Sequence, residues 1–172
     1  MSKIGLFYGS SGGNTEDVAT ALKSELEKQG AEVELHDIAT DDYTRMREFD
    51  RLILATSTWN EGELQDDWHS VYDDLQQMDF SGKTVAFVGL GDQDNYGDHF
   101  ANGMGLLSKP FATNGARIVG RWPTKGYDFE ASEAVEGDKF VGLALDVDNQ
   151  LELNDERMQR WSAQVTKEFG IE

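Results

Sequence analysis

The chain has 172 residues with 33 acidic against 15 basic side chains, a formal charge of −18, and no cysteine. That length suits one domain with room for a sizeable core, and 38% hydrophobic with 10% aromatic residues separates it from disordered acidic chains. The charge argues against nucleic acid as a partner, and the missing thiols exclude disulfides, cysteine nucleophiles and cysteine-ligated metal clusters.

In chain order, Lys3–Tyr8 is a short apolar run that ends in Gly9-Ser10-Ser11-Gly12-Gly13. Asn14 or Thr15 is expected to cap a following helix, in which Val18, Leu22 and Leu26 recur every four residues until Gly30 stops it. Glu32-Val33-Glu34-Leu35-His36 alternates polar and apolar, as an edge strand does. Arg51-Leu52-Ile53-Leu54-Ala55-Thr56 and Thr84-Val85-Ala86-Phe87-Val88-Gly89-Leu90 are continuous apolar runs, which predicts central strands covered on both faces. Between them, Trp68, Val71, Tyr72 and Leu75 predict a helix over 66–75. A third helix is predicted over 100–113, with Gly103, Gly105 and Pro110 inside it. Arg117-Ile118-Val119-Gly120 and Phe140-Val141-Gly142-Leu143-Ala144-Leu145 are further strand candidates, separated by an irregular stretch over 121–139, and they fit two halves of one strand. Asn154 is expected to cap a last helix with Met158, Trp161, Val165 and Phe169 on one face.

This βαβ rhythm predicts a parallel sheet with right-handed crossovers and helices on both faces, in one domain over 1–172. Ligands of such sheets bind beyond the carboxyl ends of the strands. After the first strand, a loop of small residues runs into a helix N-terminus, whose amides and dipole favour an anion. Ser10, Ser11, Asn14 and Thr15 add side-chain donors there. Gly13-Asn14-Thr15 lacks the lysine of a Walker loop, and Gly9-Ser10-Ser11 breaks the dinucleotide fingerprint at its second glycine. What remains is a cradle for one terminal phosphate. Trp59 follows the third strand and Tyr96 the fourth, each among small polar residues. Either ring alone reads equally as a side chain packed onto its own domain; together, beside the phosphate loop, they can sandwich a planar heteroaromatic ring.

Four segments carry a family likeness: residues 8–16, residues 58–68, Gly91-Asp92-Gln93 with Tyr96-Gly97-Asp98, and Val141-Gly142-Leu143-Ala144-Leu145-Asp146 followed by Asp148-Asn149-Gln150. They resemble the flavodoxins, small FMN-containing electron carriers, and the likeness extends from about Lys3 to Phe169. It implies an α/β, flavodoxin-like, doubly wound five-stranded parallel sheet of order 2-1-3-4-5. The 121–139 stretch resembles the long-chain insertion that splits the last strand. By the same resemblance Ser10, Ser11, Gly12, Gly13, Asn14 and Thr15 hold the FMN phosphate. Trp59 and Tyr96 flank the isoalloxazine, and Asp92 meets its pyrimidine edge. Ser57, Thr58, Asn60, Glu61, Gly62, Gly91 and His99 line the pocket, and Asp146 is reached by the ribityl chain. Three positions depart from the family pattern: Gly12 for a threonine, Asn95 for a glycine and Glu61 for an apolar residue.

The resemblance also implies a low-potential one-electron carrier rather than an enzyme, cycling FMN through semiquinone and hydroquinone states. A carbonyl in the turn over 60–62 would receive the flavin N5 proton's hydrogen bond, with Gly62 easing its rotation. The implied partners are basic redox proteins such as a ferredoxin/flavodoxin–NADP reductase, met by a monomer. No apolar run reaches ~18 residues and residues 1–8 are too short for a signal peptide, so a cytoplasmic location without membrane insertion is expected. An FMN-dependent quinone reductase and a cofactor-free interaction module remain alternatives. A receiver-type signalling domain lacks its phosphoacceptor aspartates, because Tyr8-Gly9-Ser10 and Thr56-Ser57-Thr58 supply none. His36, His69 and His99 lack metal-ligand spacing, and the pairs Asp66-Asp67 and Asp73-Asp74 read as helix surface. The acidity itself fits a saline habitat or a charged interaction surface.

Overall fold

The computed structural model describes residues 3–9, 13–59, 63–93, 99–146 and 149–171. In chain order its elements are β1 (Lys3–Tyr8), α1 (Asn14–Lys28), β2 (Glu32–Asp37), a 3₁₀ turn (Tyr43–Glu48), β3 (Arg51–Trp59), β4 (Glu63–Leu64) and α2 (Asp66–Gln77). There follow β5 (Thr84–Gly91), α3 (Asn102–Thr113), β6 (Arg117–Ile118), β7 (Trp122–Pro123), β8 (Val135–Glu136), β9 (Lys139–Phe140), β10 (Leu143–Asp146) and α4 (Leu151–Glu168).

The apolar runs become the middle of a parallel sheet ordered β2-β1-β3-β5-β10, with the alternating strand β2 at one edge. Alternate side chains of β3 and β5 enter two separate cores. Ile53, Ala55, Ala86 and Val88 pack under α1 and α4 with Leu22, Leu26, Trp161 and Val165. Leu52, Leu54, Val85 and Phe87 pack under α2 and α3 with Trp68, Leu75, Leu107 and Phe111. All of these side chains are fully buried, and the larger aliphatic and aromatic ones are each worth roughly 1.5–3 kcal/mol of transfer free energy.

The expected split of the last strand is present. β6 pairs with the first two residues of β5 and β10 with its last four, both in parallel, so the two share one edge position. The insertion between them is more regular than expected, because β7, β9 and β8 form a small antiparallel sheet of their own. The run from Phe140 to Leu145, read as a single strand, is broken. Phe140 belongs to β9, Gly142 crosses against the backbone of β5, and only Leu143–Asp146 joins the main sheet. β4, antiparallel to the end of β3, was not expected.

The capping expectations need correction. Residue Gly13, left-handed at φ 90°, precedes α1, and Asn14 and Thr15 are already helical. At the other end of the chain α4 starts at Leu151 after Gln150, so Asn154 lies inside the helix. Its buried Nδ2 donates to the Asp146 carbonyl at 3.2 Å instead. The third helix begins two residues later than expected, after Ala101 at φ 55°.

Two glycines of the insertion side separate crowding from backbone strain. A Cβ on Gly142 would land on the Phe87 carbonyl, whereas Gly137 faces open space and is constrained only by its φ of 68°. Gly142→Ala should therefore lower stability by about 3 kcal/mol, and Gly137→Ala by about 1 kcal/mol, read from urea denaturation midpoints. Equal losses would contradict this packing.

Candidate functional site

Where the chain leaves β1 and passes to β2 on one side and β3 on the other, the sheet has its switch point. The β1 end is held tightly. The Gly9 N–H donates to the Ala55 carbonyl at 3.2 Å, and a Cβ on Gly9 would collide with Gln65 Oε1 and Trp68. Gln65 is fully buried and caps α2, its Oε1 accepting from the Asp67 and Trp68 amides. The indole Nε1 of Trp68 donates to the Ala55 carbonyl at 2.9 Å. A glycine-only contact thus fixes Gly9 against the start of α2. Gly13, the N-cap of α1, has no side chain with which to cap it, and a helix's first-turn amides lack intrahelical acceptors. Gly13 and Asn14 are exposed there, while Thr15 is buried.

At the end of β3, Ser57 and Thr58 are half-buried. Thr58 Oγ1 accepts the Gly103 amide at 2.8 Å, so its hydroxyl caps α3, which has no cap of its own at Ala101. A Cβ on Gly103 would strike the Ser57 carbonyl, and one on Gly91 would strike Phe100 and the Ala101 amide. These close approaches draw the ends of β3 and β5 and the start of α3 together. His99 lies beside that start, its Nδ1 3.2 Å from Asn102 Nδ2.

The ends of β5 and β10 are joined by a polar network. Asp146 is fully buried. Its Oδ2 accepts from the Gln93 amide, from Gln93 Nε2 and from Asn149 Nδ2, and its Oδ1 from the Asn149 amide, all at 2.9 Å. Burial pushes this carboxyl up, but the donors of Asn149 and Gln93 together outweigh it and hold it below the ordinary 3.8. Asn149 Nδ2 also donates to Asp92 Oδ1 at 2.7 Å.

Lys3, Arg51, Lys83 and Arg117 stand at or beside the starts of β1, β3, β5 and β6 with Glu32 and Asp50 among them, and Asp37, Asp92 and Asp146 stand at or beside the ends of β2, β5 and β10. Tyr8, at the end of β1, senses nearby carboxylates. Burial raises its phenol, and the carboxylates of Asp37, Glu16 and Asp41 raise it further.

Among the expected site residues, Gly13, Asn14, Thr15, Ser57, Thr58, Gly91, Asp92, His99 and Asp146 are brought to this one edge of the sheet, and Trp59 ends β3 there. Ser10, Ser11, Gly12, Asn60, Glu61, Gly62 and Tyr96 lie outside the described residues, as does Asn95. Sequence reasoning missed Gln65, Gln93, Asn102 and Asn149, the buried or half-buried amides that hold these loops. Only their placement next to strand ends and glycines could have signalled them. Of the histidines, His36 is buried between Phe7 and Phe49 and contacts Asp41 and Glu34, and His69 is exposed. No metal-binding cluster occurs among the described residues.

The architecture is that of a doubly wound α/β protein, with a parallel sheet that has helices on both faces and a switch point at β1. Residues 6–161 match the family model described as Flavodoxin. The chain is 50% identical to a flavodoxin of Picosynechococcus over 99% of this chain and 100% of that one. It is 42% identical to flavodoxin 1 of Escherichia coli over 100% and 97%. A Fusobacterium nucleatum flavodoxin crystallised with flavin mononucleotide superposes with a TM-score of 0.92 at 32% identity, covering 98% of this chain and 99% of that one. The chain belongs to the flavodoxin family.

Because the Asp146 carboxyl is depressed in the fold, it stabilises the protein fully above 3.8, and that contribution disappears as pH falls through the lower folded value. Asp146→Asn should cost about 2–3 kcal/mol at pH 7. The gap between parent and variant should then narrow below pH 3.8, measured by urea unfolding across pH. A gap independent of pH would mean that the carboxylate is not what the donors hold.

Proposed function

We propose that the chain is a low-potential one-electron carrier that binds FMN without a covalent link and passes electrons between redox proteins. The observation that carries this reading is the start of α1 at the left-handed Gly13, which has no side chain to occupy the first-turn amides, set on the same sheet edge as Asp92 and the ends of β3 and β10. An amide-lined helix start with small flanking residues fits a phosphate. In the same reading Ser10, Ser11, Gly12, Gly13, Asn14 and Thr15 hold that phosphate, and Ser57, Thr58, Asn60, Glu61, Gly62, Gly91 and His99 line the ring's pocket. Trp59 and Tyr96 cover the ring faces and exclude water. The Asp92 backbone meets the pyrimidine edge while Asn149 holds its side chain, and Asp146 supports the ribityl side from within the fold.

FMN supplies two one-electron steps, and the protein sets how hard each is. Carboxylates at the strand ends oppose added negative charge, which lowers the potential of the second step. At an effective dielectric of ~20, unit charges separated by ~10 Å repel by roughly 1.7 kcal/mol before salt screening. The same charges would draw basic partners, such as a ferredoxin/flavodoxin–NADP reductase, to the flavin edge of a cytoplasmic, monomeric, single-domain carrier. Redox partner proteins are inherent to the family; their basicity is our reading. Among the described residues no helix is long and apolar enough to cross a membrane.

Purified protein should take up one FMN and show two resolved steps in a dithionite titration followed in the visible. A protein that stays colourless with added FMN would end this reading. Asp92→Asn should raise the potential of the second step by some tens of mV, more at low than at high ionic strength. An unchanged potential would show that Asp92 is screened from the flavin.

A further inference from the structure

Gln93 has a set of contacts that binding at the pocket surface does not explain. The side chain is 6% exposed and spans three parts of the molecule. Its backbone amide and Nε2 both donate to Asp146 at the end of β10, and its Oε1 accepts the Asp128 amide of the insertion. The insertion grips the same region again further on. The Phe100 amide donates to the Ala131 carbonyl at 3.2 Å, and Asn102 Oδ1 accepts the Glu133 amide at 2.7 Å. Phe100 also packs on Phe129 and Phe140 with ring centroids 5.4 and 5.8 Å apart. The chain beyond β5 is therefore tied to the insertion at Gln93 and again at Phe100 and Asn102. Asn149 then links the Asp146 end of this network to Asp92.

We propose that Gln93 is a positioning residue that fixes the Asp92 turn before the cofactor arrives, and that through it the 121–139 insertion is a working part of the cofactor pocket. The proposal rests on the FMN reading above and deepens it. Geometry supports it in two ways. A buried carboxylate with four donors is a fixed point, because any movement of Gln93 would leave Asp146 short of partners in a dry environment. The Gln93 amide group joins that fixed point directly to the insertion backbone at Asp128. A turn held in its bound shape spares the ordering cost that binding would otherwise carry.

The test compares the parent with Gln93→Leu, which keeps the size and removes the clamp, and with Val165→Ala, which opens a cavity in the core under α4, among residues outside this network. Apoprotein is titrated with FMN by flavin fluorescence quenching, the visible circular dichroism of the bound flavin is recorded, and hydrogen exchange of the Asp128 amide is followed in the apoprotein. Gln93→Leu should weaken FMN binding about 10- to 100-fold, alter the flavin dichroism and deprotect the Asp128 amide. Val165→Ala should lose stability while keeping the parental affinity and dichroism. Parental affinity and dichroism in a folded Gln93→Leu would overturn the proposal. If that variant does not fold, Gln93→Asn keeps an amide beside Asp146 but falls a methylene short of Asp128, and the same measurements decide. Failure of the FMN reading is separately visible, because then the parent itself takes no flavin while the exchange of Asp128 still reports on the clamp.

Discussion

A strand covered on both faces must be apolar at every position, and β3 and β5 meet that demand along most of their length. Leu52, Ile53, Leu54 and Ala55, with Val85, Ala86, Phe87 and Val88, are all fully buried. A polar group between their ends would have to be buried and would need a hydrogen-bond partner inside the core. Two consequences follow. The sheet needs a helical layer on each side, which α1 with α4 and α2 with α3 provide. Chemistry is also displaced to the strand ends, where the chain emerges from the core and its polar groups meet water or a ligand.

Residues displaced to strand ends lie on loops, and loops need anchors to hold a shape. In this chain the anchors are buried or half-buried polar side chains that serve the backbone. Gln65 caps α2 and abuts Gly9, Thr58 caps α3, Asn102 holds Glu133, and Asp146 gathers Gln93 and Asn149. Each converts a flexible connection into an extension of the rigid sheet. The edge of the sheet is thereby shaped mostly by amides and hydroxyls that face inward, leaving the outward groups to the ligand.

The difference between inward and outward groups explains what could be read from the sequence. Continuous apolar runs and four-residue spacing report burial directly, so the strands of the parallel sheet, the four helices among the described residues and the divided last strand were legible, while β4 and the small sheet of the insertion were not. Register and caps were not. Asn14 and Asn154 are good capping residues in general, yet the left-handed Gly13 and the position of Gln150 start the helices earlier, and Asn154 is used inside α4 to hold Asp146. The run ending at Leu145 breaks because Gly142 crosses a carbonyl of β5, a tertiary contact that no local pattern encodes. For the site, strand-end residues were legible by topology and family likeness. Gln93 was not, since a buried glutamine and an exposed one look the same in a sequence.

The charge acquires direction once the fold is known. Several of the few cations are committed away from the carboxyl edge. Arg51 donates to the Phe169 carbonyl and Lys83 to those of Arg47 and Phe49, whereas Arg157, near the start of α4, donates to Gln150 and Gly126 with its guanidinium 4.0 Å over Tyr127. Burial of that Tyr127 ring pushes its phenol up to about 12, so it stays neutral beside the cation. Arg45 is shared between Glu34 and Glu48 near the starts of the strands. A saline habitat asks only for total surface charge. Attraction of a charged partner, in contrast, depends on where along the sheet those charges stand.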